Sequence, residues 1–255
     1  AGHARTRGSR FGCGGRVRGV STVQRPAFAA ATEPRVKLVV DARLYIKDPT
    51  SSELGTRIVE HGILMLDEVG LEEFTFRKLA LRVGTTEASV YRYFGSKHQF
   101  LLYLTSWYWS WVVYRLRLAT ENVDSAEARL RLAIAELTRP IVKDESTPRI
   151  DEAALYRVVV AESAKAYMHA EAEVEGREGL YQSYQRLVQA VAAMIRSVNP
   201  DYPHPMALVS TVLESGHMQK YFAEHLPFLT DVSADESHRL TTQFLTDLVF
   251  RAIGR

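Results

Sequence analysis

Residues 74–104, FTFRKLALRVGTTEASVYRYFGSKHQFLLYL, contain the signals that decide the fold. Thr75 is a predicted N-cap, and apolar residues then recur at helical spacing until Gly84. Glycine often ends a helix because it adopts the left-handed backbone conformation without a Cβ clash. Thr86 is the next predicted N-cap, and Gly95 ends the helix that it begins. The stretch therefore predicts a helix, a glycine turn and a short second helix.

Two further helices flank this pair. Residues 96–99, SKHQ, form a capping box that begins a long helix. Upstream, residues 50–69 carry an apolar stripe of helical period, with a second predicted capping box at Thr50 and Glu53. Gly70 is the predicted end of that upstream helix. Three helices are thus predicted before the long one.

These motifs resemble the DNA-binding domain of TetR/AcrR-type bacterial transcriptional regulators. The matching segments are TFRKLA (75–80), VGTTEASVYRYF (83–94) and GSK (95–97). Leu79, Ala88 and Tyr93 depart from the isoleucine, glycine and histidine that are frequent in the family. The resemblance implies a helix-turn-helix whose second helix enters the major groove of DNA.

Resemblance and side-chain chemistry together predict which residues face DNA. The Lys97 ammonium and the hydroxyls of Tyr91 and Tyr93 are expected to contact phosphates, with packing in the domain core as the alternative for Tyr91. Glu87 either accepts a hydrogen bond from cytosine N4 or complements the positive end of the helix dipole. The predicted DNA-binding residues are Thr75, Arg77, Thr85, Thr86, Glu87, Ala88, Ser89, Tyr91, Arg92, Tyr93 and Lys97.

Composition excludes several classes of protein. The chain has 255 residues, of which 46% are hydrophobic, enough for a substantial core. Cys13 is the only cysteine, so a disulfide framework and a cysteine metal site are excluded. No membrane-spanning run or signal peptide is apparent, and a cytoplasmic location is expected. Because the G-x-S-x-G, H-E-x-x-H and dinucleotide-loop motifs are missing, neither an enzyme nor a cofactor or metal site is predicted.

The positive charge is concentrated at the start of the chain. Residues 1–50 hold ten Lys and Arg against three Asp and Glu, an excess of seven; the net charge of +2 therefore leaves −5 on the rest. We expect residues 1–45 to be a disordered basic arm. Two interpretations of this arm stay open. It either follows DNA phosphates or enters the minor groove, or it results from a start of the sequence placed too far upstream and has no role in DNA binding.

Beyond residue 98 the pattern is helical throughout. An aromatic stripe at helical spacing is either part of the core or the lining of an effector pocket, and it consists of Tyr103, Trp107, Trp111 and Tyr114. Two later amphipathic stripes, near residues 180–198 and 206–226, are candidates for the four-helix dimer interface that the resemblance implies; packing within one protomer would give the same pattern. The candidate interface residues are Tyr184, Leu187, Val188, Val191, Ile195, Val209, Val212, Leu213 and Gly216.

The sequence therefore predicts an all-α protein. An arm (1–45) precedes a helix-turn-helix DNA-binding domain (46–97) and a helical effector-binding and dimerisation domain (98–255). We expect the protein to be a homodimeric transcriptional repressor that binds double-stranded DNA at a palindromic operator. An unknown small-molecule effector is expected to release it from the operator. The alternatives are a helical protein-interaction module and a cofactor-binding bundle that does not bind specific DNA.

Overall fold

A computed structural model describes residues 38–143, 147, 149–167, 176 and 180–254. Within these ranges the regular structure is helical and contains no strand, which confirms the predicted all-α class. Residues 1–37, most of the predicted arm, lie outside the described residues. The helices are α1 (Glu53–Glu73), α2 (Phe76–Val83), α3 (Glu87–Tyr91), α4 (Lys97–Thr120), α5 (Ala126–Thr138), α6 (Glu152–Tyr167), α7 (Gln182–Val198), α8 (Pro205–His225) and α9 (Ser237–Ala252).

Side-chain caps begin the first four helices. Thr75, Thr86 and Ser96 each accept a hydrogen bond from the backbone N–H three residues later, at 3.2, 3.2 and 3.0 Å, which confirms the three predicted N-caps. The predicted capping box at Thr50 is wrong. Thr50 lies in a short 3₁₀ turn, and Ser52 caps α1 instead, accepting from the N–H three residues on at 3.2 Å.

The prediction that the first helix ends at Gly70 is wrong, because α1 is only interrupted there. Gly70 has φ 69° and ψ 171°, a left-handed φ that favours glycine, and the helix resumes as far as Glu73. Because the backbone is irregular here, the N–H of Leu71 donates outside α1. Its acceptor is Oε1 of Glu162, a buried carboxylate on α6, at 2.9 Å. Two ion pairs strengthen this contact between α1 and α6: Arg157 with Asp67, and Lys165 with Glu72.

The long helix α4 connects the two parts of the fold. Its N-terminal turns contact α1, and the rest of it packs against α5, α6 and α7. Helix α7 packs on α8, α8 on α9, and α9 returns to α5, so the C-terminal helices enclose one continuous apolar core. Among the described residues, no helix is both long and apolar enough to cross a bilayer.

The end of the predicted arm needs correction. Residues 38–45 are not a disordered tail: they include a 3₁₀ turn at Ala42–Leu44 that contacts α4. Val40 and Leu44 are buried there, and the Gln99 amide donates to the carbonyl of Arg43 at 3.0 Å. Burial of these two apolar side chains, which the arginine-rich composition upstream obscured, is the physical reason for the difference.

The amphipathic stripes of α7 and α8 face the interior of the protomer. Tyr184 and Gly216 are half-buried, and the other seven candidates for the dimer interface are buried within a single chain. Tyr184 stacks on Tyr167, with ring centroids 5.6 Å apart. Packing inside one protomer therefore accounts for these stripes.

Candidate nucleic-acid interface

The turn between α2 and α3 has the geometry of a Schellman motif. Gly84 adopts φ 74° and ψ 45°, its N–H donates to the carbonyl of Leu81 at 3.2 Å, and the Thr85 N–H donates to that of Ala80 at 2.9 Å. Both bonds satisfy carbonyls that the end of α2 would otherwise leave unpaired. The next residue, Thr86, already caps α3, so the two helices are joined by a turn with little freedom.

Aromatic residues beneath the turn fix the orientation of α3. Val90 and Phe94 are completely buried, and the Phe94 ring lies 4.8 Å from that of Phe100 on α4. Phe100 in turn stacks on Phe74 at 5.6 Å, and Phe76 packs edge-on to Tyr91 at 5.0 Å. Since α3 has only five residues, this cluster, and not helix length, holds it in place.

The outer face of the helix pair carries most of the predicted DNA-binding residues. Thr85 and Ser89 are half-buried, and the Ser89 hydroxyl lies 2.9 Å from that of Thr86. The exposed members of the predicted set are Thr75, Arg77, Thr86, Glu87, Ala88, Tyr91, Arg92 and Lys97. Hydroxyl, carboxylate and guanidinium groups are thus presented together along α3 and the start of α2, where they could reach base edges and phosphates.

The basic residues around this face differ in whether they have partners. Arg82 makes a bidentate ion pair with Glu68, and Lys78 pairs with Glu73. Arg77 and Arg92 have no ion pair or hydrogen bond within the described residues. An unpaired exposed guanidinium can bind a phosphate without first breaking a bond within the protein. Arg77 and Arg92 are therefore better candidates for phosphate contacts than Arg82 and Lys78.

The two tyrosines of the motif have different environments. Tyr91 is 47% exposed, so the predicted phosphate contact remains open to it. Tyr93 is buried, and its hydroxyl lies 2.7 Å from the Ser52 hydroxyl at the cap of α1, beneath the ammonium of Lys47. We therefore remove Tyr93 from the candidate interface: its hydroxyl already has a partner, and its ring forms part of the domain core.

Lys97 already has acceptors within the chain. Its ammonium donates to the carbonyls of Leu71 at 3.0 Å and Glu72 at 3.4 Å, near the end of α1. The side chain thus joins the start of α4 to the end of α1. The predicted phosphate contact stays a prediction, and it requires this ammonium to share its protons with DNA or to turn away from α1.

The predicted effector stripe is mostly core. Tyr103, Trp107 and Trp111 are buried, and Tyr114 is half-buried; none of the four lines a described cavity. A further aromatic residue of α4, Trp109, is also part of the core. It is 4% exposed, and its indole N–H donates to the Tyr167 hydroxyl at 2.7 Å, a partner 58 residues away that no local pattern could indicate.

Comparison with known proteins agrees with this geometry. Residues 58–104 match the family model described as bacterial regulatory proteins of the tetR family. No curated protein sequence matches the chain significantly. Among solved structures, the TetR-family regulator PfmR from Thermus thermophilus is 18% identical, with a TM-score of 0.52 over 78% of this chain and all of that one.

Two other structures show how widely the fold is used. AibR, solved with isovaleryl coenzyme A and operator DNA, is 12% identical, with a TM-score of 0.53 over 74% of this chain and 96% of its own. The superantigen PfiT is 17% identical, with a TM-score of 0.51 over 78% of this chain and 96% of its own. At these identities the likeness shows the fold alone. Residues 58–104 are therefore similar to the helix-turn-helix DNA-binding domain of bacterial regulatory proteins of the tetR family.

Proposed function

We propose that this protein is a cytoplasmic transcriptional repressor that binds a palindromic operator as a homodimer and is released by a small-molecule effector. The observation that carries the proposal is the exposed face of α3, with two unpaired arginines beside it, in a domain of the TetR family. Thr86 and Ser89 hydroxyls can bond to base edges, and the guanidinium of Arg92 can bind guanine or phosphate. Each half of the operator would be recognised by one α3.

The proposed dimer surface lies on α8, α9 and the loop between them. Large apolar side chains are exposed there: Met218 (43%), Tyr221 (46%), Phe228 (79%), Leu229 (52%) and Phe244 (47%). Leu229 and Phe244 line one shallow groove. Grouped exposed apolar residues are typical of protein interfaces, so a second copy of the chain is the partner that we propose.

Helix α6 offers a route from an effector site to the DNA-binding helices. Tyr156 lines a cavity among the C-terminal helices, and the next residue, Arg157, pairs with Asp67 on α1. One further turn along, Glu162 accepts the N–H of Leu71. A ligand that favours one position of α6 would therefore alter α1, provided it binds that position better than the other. The neighbour AibR, solved with an acyl coenzyme A and operator DNA, supports such a combination of ligands in this fold.

Selection from a random duplex library, with purified full-length protein at two salt concentrations, tests the proposal. Recovery of one symmetric motif, with affinity that falls as salt rises, is expected of a dimer that uses two recognition helices. A protein-interaction module would retain no common motif, and that result would refute the function.

The dimer is tested separately by sedimentation. Phe244→Glu should convert a wild-type dimer into a monomer that keeps the same helical content, because a charge would replace an exposed ring in the proposed surface. Asp247→Glu, on the same helix and at the same groove, is the matched control and should leave the dimer intact. A dimer that Phe244→Glu does not weaken would place the interface elsewhere.

A further inference from the structure

A cavity of about 230 Å³ lies among α4, α5, α6, α8 and α9, apart from the helix-turn-helix. Its volume equals that of about eight water molecules at roughly 30 Å³ each, enough for one ring or a short chain. Apolar side chains form part of the wall, and polar groups form the rest. The lining includes Leu137, Ile141, Tyr156, His217, Lys220 and Thr241.

Several polar groups of this cavity have no hydrogen-bond partner among the residues that the structure describes. The Thr241 hydroxyl oxygen is buried and makes no hydrogen bond among the described residues. Tyr108, which is 3% exposed, and His217 also make none there. Buried polar groups in folded proteins nearly always have partners, so this cluster indicates a polar ligand or ordered water.

The protonation states of these groups suit hydrogen bonding to a ligand. Burial raises the pKa of the Tyr108 hydroxyl far above its ordinary value, so the group keeps its proton and can donate. Burial, together with the nearby positive charge of Lys220, lowers the pKa of His217 to about 4. At neutral pH the imidazole is therefore uncharged and offers one donor and one acceptor.

The charged groups in the lining of the cavity are Lys220, Arg139 and Glu224. The Lys220 ammonium lies 4.9 Å from the centroid of the Tyr156 ring and has no ion pair within the described residues. The lining carboxylate, Glu224, is 44% exposed on its side chain, so water screens its charge more than that of a buried group. Arg139 is paired with Glu136. Lys220 would repel a cationic ligand, and it already covers the aromatic face that could have attracted one.

We propose that this cavity binds a small carboxylic acid, either aromatic or short-chain, with its carboxylate on Lys220 and its apolar part against Leu137 and Ile141. Thr241 and Tyr108 supply additional hydrogen bonds to the acid. Naming the acid as the effector rests on the proposed function; its binding to the cavity does not, because the binding can be measured without DNA.

Titration calorimetry on the full-length protein tests this site. The probes are benzoate, phenylacetate and hexanoate, with neutral benzamide and cationic benzylamine as controls for charge. At least one acid should bind, and both controls should bind more weakly. The result that no acid binds, or that benzamide or benzylamine binds as tightly as the best acid, would overturn the proposal.

Variants of Lys220 complete the test. Lys220→Met should lower the affinity for the acid by about ten- to a hundredfold, the usual effect of losing a charge-assisted hydrogen bond. Lys220→Arg should recover most of it, and Lys78→Met, which removes a lysine on α2, should change nothing. A thermal melt checks that each variant folds. Unchanged affinity in Lys220→Met would refute the site, whereas acid binding without any operator motif would refute only the regulator function.

Discussion

Replacement of an unpaired arginine at the proposed DNA-binding surface should alter the salt dependence of DNA binding in a calculable way. Arg92 has no partner within the described residues, so in the proposed dimer, with Arg92 on phosphate rather than guanine, Arg92→Ala removes one phosphate contact per protomer and two per dimer. Each contact contributes about 0.9 to the slope of log K against log salt concentration, so the slope should become less steep by about 1.8. Over a fourfold rise in salt, the advantage of the wild type over the variant should then shrink about twelvefold.

Arg82 provides the matched control, since Arg82→Ala changes the formal charge by the same amount. Its guanidinium is already held by Glu68 in a bidentate pair, so it has less to offer a phosphate. Fluorescence anisotropy with a labelled operator duplex, repeated across a salt series, measures both slopes. Equal slopes for the two variants would refute the argument that pairing within the protein decides which arginines bind DNA.

Three further variants test the structure itself. Glu162→Ala should lower the free energy of unfolding by about 1–3 kcal/mol because it leaves the buried N–H of Leu71 unpaired. Glu162→Gln keeps an acceptor for this N–H and should lower the free energy of unfolding less. Equal losses for the two variants in urea denaturation would contradict this role of Glu162. Gly55→Ala should destabilise the folded protein by about 1–3 kcal/mol, because the new Cβ would clash with the carbonyl oxygen of Pro49. A melting temperature at or above that of the wild type would be inconsistent with this clash. Lys97→Ala should lower stability by about 1 kcal/mol through the lost carbonyl bonds; DNA affinity that falls without any loss of stability would instead favour the phosphate role alone.

The local signals of this chain were sufficient to predict the helix-turn-helix. Thr75, Thr86 and Ser96 cap helices as expected because each acts on an N–H three residues away. The family motif could also be recognised from local sequence, because it occupies one continuous segment. Prediction failed where the partner is distant: Tyr93 resembles Tyr91 in sequence, yet its hydroxyl bonds to Ser52, 41 residues earlier.

The C-terminal residues show a second limit. A stripe such as Leu187, Val191 and Ile195 indicates that one face is buried, but it does not say whether the same chain or another copy covers it. The structure shows that the same chain does. The cavity around His217 and Lys220 had no sequence signal either, because its lining comes from several helices far apart in the chain. The hydrogen bond of Trp109 had no sequence signal for a similar reason, since its partner Tyr167 lies on another helix.

The most direct test of the central claim, that α3 recognises DNA sequence, is a binding-site selection with the wild type and Ala88→Gln in parallel. Ala88 is exposed on α3, and a glutamine there can make a bidentate pair with adenine. We expect a symmetric motif from the wild type, and from the variant the same motif changed toward adenine at one position in each half-site. Identical motifs from the two proteins, or no common motif from the wild type, would contradict the account.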